Sequence, residues 1–161
     1  MKNFNLKKFK QETNGKWKVH FTGIGSDGKN ELHELTFDRI PHSDLTGAMK
    51  KLERLLAMSN DLYVHRKDLN LKSQDQIHLE AAEIALLKMD EIVVQSVHVS
   101  GFYLKGKDEN LSVVITGKHN TYNTSVAMNS PLIKLDGDAF GFEPEVKEVV
   151  DELIHEIKLY L

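Results

Sequence analysis

The chain contains no cysteine. Disulfides, thiolate metal sites and cysteine nucleophiles are therefore excluded. It has no run of about 18 apolar residues, so no membrane-spanning helix is expected. Neither sign of charge dominates. Lys and Arg number 21 against 24 Asp and Glu, leaving a formal charge of −3. With a pI near 6.2 there is no global basic field to capture nucleic acid, only the option of a local patch. The first ten residues lack the continuous apolar stretch of a signal peptide, because Lys2, Lys7, Lys8 and Lys10 interleave with Phe4, Leu6 and Phe9. A cytosolic location is the default expectation. The sequons Asn110-Leu-Ser112 and Asn123-Thr-Ser125 are then chance matches.

What is present suits one α+β domain over residues 1–161. Of the 161 residues, 40% are hydrophobic, enough to build a core. Trp17, Val19 and Phe21 alternate with Lys18, His20 and Thr22, and Leu35 and Phe37 continue the pattern after a turn-rich loop. These segments predict a hairpin. Pairing Val19 with Leu35 and Trp17 with Phe37 keeps apolar against apolar and sets His20 opposite Glu34; a one-residue slip would waste the buried face. Pro41-His-Ser43 opens a helix capped by Ser43, with Leu45, Met49, Leu52, Leu55 and Leu56 at helical spacing and Asn60 at its end. The segment 61–72 is the only candidate boundary. Ser73-Gln-Asp-Gln76 resembles a capping box before a middle helix carrying Ile77, Ala81, Ile84, Leu79, Ala82 and Leu86. Strands are predicted over 91–104, 111–117 and 125–135, the last broken at Pro131. Pro144 starts a final helix with the stripe Val146, Val149, Val150, Leu153 and Ile157. The order ββ-α-α-βββ-α predicts an antiparallel sheet with helices packed on it.

The chemistry-bearing motifs mostly dissolve into structure. Gly23-Ile-Gly25-Ser-Asp-Gly28 fits a dinucleotide fingerprint, but a strand follows it where a phosphate-binding helix would be required, so it reads as a hairpin loop. His65 to Asn70 and Asp138 to Gly141 echo kinase motifs but each carries one extra residue, and the chain is too short for two lobes. Eight histidines invite a metal search, yet none has an i, i+4 partner ligand, and the register pairs His20 with Glu34 instead. Asp136-Gly-Asp138 lacks the further acids of a calcium loop. Thr116, Thr121 and Ser125 near His119 carry no signature of a nucleophilic triad. No catalytic, cofactor or metal residue is therefore assigned. The one constellation kept is Lys105, Lys107, Lys118 and His119 with Tyr103 and Tyr122, since lysines beside aromatics bind single-stranded nucleic acid or nucleotides by charge and stacking.

Val113-Val-Ile-Thr-Gly117, Ala127-Met-Asn-Ser-Pro-Leu-Ile133, the helix from Val149 to Leu161 and the hairpin from Gly15-Lys-Trp17 carry a resemblance. They resemble a small protein family carried by phages and prophages, especially in gut bacteria. The resemblance implies a role in the host cytosol, in genome replication or in countering host defence, and it supplies no catalytic residue. Three functional expectations follow: a non-enzymatic accessory protein that binds a phage or host macromolecule, such as a protein partner; a binder of single-stranded nucleic acid or nucleotides; and an enzyme of unrecognised type.

Overall fold

A computed structural model describes residues 4–39, 41–60, 97–121 and 123–161 of the chain. Its first strand is one the apolar spacing disguised. Leu6 and Phe9 are both buried but lie three apart, which breaks a two-residue period. A bulge between Leu6 and Lys8 resolves the mismatch, so Asn5–Gln11 forms strand β1. Strands β2 (Trp17–Ile24) and β3 (Asn30–Phe37) follow as the expected hairpin. Their register is the expected one: Val19 faces Leu35, Trp17 faces Phe37, and His20 faces Glu34. His33 falls beside Phe21, with ring centroids 5.1 Å apart.

Helix α1 (Ser43–Ser59) buries Leu45, Ala48, Met49, Leu52, Leu55 and Leu56. Its cap is one residue earlier than expected, at His42, whose Nδ1 accepts from the Asp44 N–H. Asn60 closes it, as expected. Strand β4 (Val97–Lys105) forms a hairpin with β5 (Ser112–Asn120), joined through a short 3-10 turn at Asp108–Asn110. The expected middle helix, the segment 61–72 and the start of the strand expected from residue 91 lie outside the described residues. Strand β6 (Ser125–Asn129) and the two-residue β7 (Ile133–Lys134) both pair with β5.

Pro131 separates β6 from β7, and the chain repairs the break locally. Proline offers no N–H to a ladder. The Ser130 N–H donates to the Ile115 carbonyl at 2.8 Å, and the Ile115 N–H donates to the Ser130 hydroxyl oxygen at 2.9 Å. The buried Ser130 hydroxyl thus accepts from the Ile115 N–H in place of a strand carbonyl and passes its own proton to the Pro131 carbonyl at 2.8 Å.

Among the described residues the sheet has seven antiparallel strands in the order β3-β2-β1-β4-β5-β6, with β7 also on β5. Helices α1 and α2 (Glu143–Lys158) share a core with one face of it. The chain is α+β. All five residues of the α2 stripe are buried. The end of α2 lies over the first hairpin rather than the second: Tyr160 meets Phe37 at 5.5 Å, and the Lys158 ammonium lies 5.5 Å from the Phe4 ring centre. Lys51 of α1 pairs with Glu152 of α2 at 2.8 Å. Gly117 lets α1 close on β5. A methyl group there would meet Leu56 Cδ2 at 2.7 Å and collide with the His98 carbonyl. Among the described residues, no helix is long and apolar enough to cross a membrane.

Candidate functional site

Alternation fixes what the opposite face of the sheet carries. Phe9, Val19, Phe102 and Ile115 turn toward the helices. Their chain neighbours Lys8, Lys10, Lys18, His20, Tyr103 and Thr116 therefore turn away. The register then assembles these residues across strands. Lys10 lies directly opposite Lys18, and Lys8 directly opposite His20. Lys8 is also opposite Tyr103. Tyr103 is opposite Val114, Lys105 opposite Ser112, and His98 opposite Lys118. Five lysines and two histidines from four adjacent strands thus share one face, with Tyr103 near its middle.

Acids answer only part of this charge. Glu12 spreads its two carboxylate oxygens between Lys10 at 3.9 Å and Lys18 at 3.8 Å. Glu34, on the outer strand β3, sits 3.7 Å from Lys18 and 3.4 Å from His20. Among the described residues, Lys8 and Lys118 form no ion pair, and both are exposed. The Lys105 ammonium lies 5.5 Å from the centre of the Tyr103 ring, within range of a cation–π attraction. Glu53 reaches from α1 to His98 Nδ1 at 3.8 Å. Burial raises the Glu53 pKa, against the pull of His98, the Val99 N–H and Lys50.

The residues singled out in the sequence divide between places. Tyr103 and Lys105 belong together on this face. Lys118 shares the face but lies four residues along β5 from Val114, roughly 13 Å away along the strand. Lys107 lies beyond the face, in the turn after β4, beside a hollow of about 640 Å³ shared with Lys7 and Asp108. His119 does not join them. It is opposite Val97, a fully buried core residue, so the one-residue step from Lys118 turns it to the helical side. Tyr122 lies outside the described residues.

Lys8, Lys10, Lys18 and His98 were passed over. The signal for three of them was visible, because the lysines of β1 alternate with Phe9 and Lys18 alternates with Trp17 and Val19. What the sequence did not show was that β1 is inserted between β2 and β4. That insertion converts two separate lysine patterns into one surface.

The remaining motifs have structural roles. The glycine-rich loop closes the β2–β3 hairpin, with the Gly25 N–H donating to the Lys29 carbonyl at 2.9 Å. Asp136 accepts from Lys147 at 3.0 Å. Residues 65–70 lie outside the described residues. Among the described residues, no three His, Asp or Glu side chains converge as metal ligands would. No family model, curated protein or solved structure matches the chain.

Proposed function

We propose that this chain is a non-enzymatic binding protein whose lysine-bearing sheet face, the one turned away from α1 and α2, holds single-stranded nucleic acid. One observation carries the reading: Lys10 lies directly opposite Lys18 on that face, and two further lysines lie opposite imidazoles, Lys8 against His20 and Lys118 against His98, with no acid opposite any of these lysines. Like charges opposite one another cost stability. A fold gains nothing from setting Lys10 against Lys18, whereas a polyanion lying across them and across Lys8 and Lys118 turns repulsion into attraction. The width supports a strand rather than a duplex. From Lys18 on β2 to Lys118 on β5 is three inter-strand spacings, about 14 Å, room for a few nucleotides. Tyr103 supplies a ring for a base, and stacking is tolerant of sequence.

The resemblance to phage proteins adds the setting, an accessory protein in the host cytosol that acts in genome replication or against host defence. A protein partner is the second reading, favoured by the outer strand β3, where Leu32 is 71% and Leu35 40% exposed.

Fluorescence anisotropy with labelled oligothymidylate tests the first reading. Binding that weakens with salt is expected. Absence of binding at low salt, with sedimentation showing association that Leu32→Lys abolishes, would transfer the function to β3.

A further inference from the structure

The outer strand β3 presents an unfinished edge. Among the described residues it has β2 on one side and no strand on the other. The turn of its hairpin fixes which backbone groups face outward. The Gly25 N–H donates to the Lys29 carbonyl at 2.9 Å and the Gly28 N–H to the Gly25 carbonyl at 3.1 Å, so Gly25 and Lys29 form a bonded pair. Bonded and non-bonded pairs alternate along an antiparallel ladder. In the observed register Glu31, His33, Leu35 and Phe37 therefore bond to β2, while Asn30, Leu32, Glu34 and Thr36 turn their N–H and C=O groups outward. Little blunts this edge: β3 runs eight residues without proline, lysine or bulge. It also carries uncovered apolar surface. Leu32 is 71% exposed, and Ile24, its diagonal neighbour on the same face of β2, is 39% exposed.

We infer that β3 is the interface between two copies of this chain, which pair edge to edge about a two-fold axis into one continuous sheet. This names the partner of the second reading above and is independent of the nucleic-acid reading. Such self-pairing is antiparallel, and residues opposite one another share a face, so the axis passes through one residue. The side chains choose which. An axis at Glu34 or at Glu31 sets two carboxylates against each other, which costs stability. An axis at His33 puts each Leu32 against a Glu34, and one at Leu35 leaves Leu32 beyond the pairing. An axis at Leu32 sets the most exposed apolar side chain of the hairpin against its own copy, with an Ile24 flanking it on either side. On the other face it opposes Glu31 to His33 of the second copy. Asn30 and Glu34, whose backbone groups both point outward, then make the bonded pairs beside the axis. One register of the strand with itself thus satisfies backbone, apolar and acid–imidazole contacts together; a foreign strand has no such built-in match. A two-fold pairing also closes on itself. The far edge does not compete, because β6 is five residues long and the Asn60 side-chain amide already donates to its Asn129 carbonyl at 3.4 Å. In the pair, both lysine-bearing faces look the same way.

Sedimentation equilibrium of the native chain across the micromolar range, without oligonucleotide, tests the pairing. A strand pair of this length buries less than the roughly 1,200 Å² at which stable interfaces begin, so a reversible dimer with a micromolar dissociation constant is expected. Leu32→Lys removes the apolar contact and sets like charges on the axis, and should weaken association roughly 10-fold or more. Position 32 is at the surface, so circular dichroism should show the variant folded. Because the chain has no cysteine, single introduced cysteines report the register. Opposed Cα atoms of a bonded pair lie about 5.5 Å apart, within reach of a disulfide. Leu32→Cys should therefore cross-link to its copy on mild oxidation, and Thr36→Cys, which has no copy of itself opposite, should not. A native chain that stays monomeric throughout overturns the interface and leaves the nucleic-acid reading of the lysine-bearing face standing. A dimer that Leu32→Lys leaves unchanged also overturns it. Growth beyond the dimer, or equal cross-linking through Thr36→Cys, overturns the two-fold register.

Discussion

Replacing Lys8, Lys10 and Lys118 together by threonine should remove nucleic-acid binding without weakening the fold. The face carries five lysines, Lys8, Lys10, Lys18, Lys105 and Lys118, against Glu12 and Glu34, a surplus of three. The triple variant leaves two lysines against the same two acids, a surplus of zero. For single strands, log K falls with log salt with a slope of about −0.7 per phosphate neutralised. Three contacts give a slope near −2.1, so the native chain should lose about 20-fold in affinity between 50 and 200 mM salt. The variant should bind weakly with almost no slope. Stability should move the other way or stay level. Each like-charged cross-strand pair costs a few tenths of a kcal/mol, and threonine suits a strand better than lysine. The ion pair from Lys10 to Glu12 is lost, but at 3.9 Å on the surface it is worth little, and Lys18 still holds Glu12. Anisotropy titrations at four salt concentrations and urea unfolding of both chains measure the two effects. A native slope near zero, or a variant that unfolds about 2 kcal/mol more easily, would refute the argument that these lysines serve a ligand rather than the sheet.

Tyr103→Ala should weaken oligonucleotide binding by roughly 5- to 150-fold, the loss of one stacked base, while Tyr103→Phe should keep most of it, as anisotropy will show. Leu153 is fully buried on α2, so Leu153→Ala should cost about 2–5 kcal/mol by urea unfolding; a loss below about 1 kcal/mol would mean that the site collapses around the truncation. Gly117→Ala should destabilise by about 1–3 kcal/mol, because the methyl collides with the His98 carbonyl on β4 as well as with Leu56, so the sheet and α1 must both shift; an unchanged unfolding midpoint would show that neither contact constrains the fold. Glu143 is buried, and burial works to raise its pKa, but the N–H groups of Phe140, Glu143 and Gly141 together outweigh it and hold the carboxyl below its ordinary 4.5. A depressed carboxylate contributes stability above its unfolded pKa and loses it as pH falls through the folded one. The advantage of the native chain over Glu143→Gln, followed by thermal unfolding, should therefore be full at pH 7 and shrink below about pH 4.5.

The parts of the fold that were legible are those where one local period holds without interruption. The β2–β3 register followed from Trp17, Val19, Leu35 and Phe37 because a slip of one residue would set these apolar residues opposite polar ones. The α2 stripe followed from its 3.6-residue repeat. Strand β1 was not legible, since its bulge sets Leu6 and Phe9 three apart, a spacing that breaks the strand period and suits one turn of helix instead. The His42 cap was missed because serine is the commoner capping residue, and here the imidazole nitrogen of His42 accepts the bond instead. The lysine-bearing face was half legible for a topological reason. Lys105 and Lys118 stand near loops in the sequence and drew notice there, but their companions Lys8, Lys10 and Lys18 come from strands about a hundred residues earlier. No local pattern announces that β1 docks on β4. Phe9 facing Phe102 does so in the folded chain, where their rings lie 6.1 Å apart.

The net charge of −3 argued against nucleic acid, yet it is an average over surfaces that never face the same ligand. The wet side of α2 carries Glu145, Glu148, Asp151, Glu152 and Glu156 against Lys147, His155 and Lys158. Those acids lie on the far side of a helix about 10–12 Å thick, beyond the face that holds the lysines. The screening length at physiological salt is about 8 Å. A strand on the sheet face therefore feels the lysine surplus almost undiminished, while one approaching the helices meets repulsion. On the proposed reading, separating the signs between α2 and the sheet face, among the described residues, leaves a polyanion one favourable side from which to approach. The same separation explains why the cross-strand cation pairs are tolerable in the unliganded chain. They stand at the solvent surface, where a high dielectric limits each repulsion to a fraction of a kcal/mol, a cost the apolar core beneath them covers many times over.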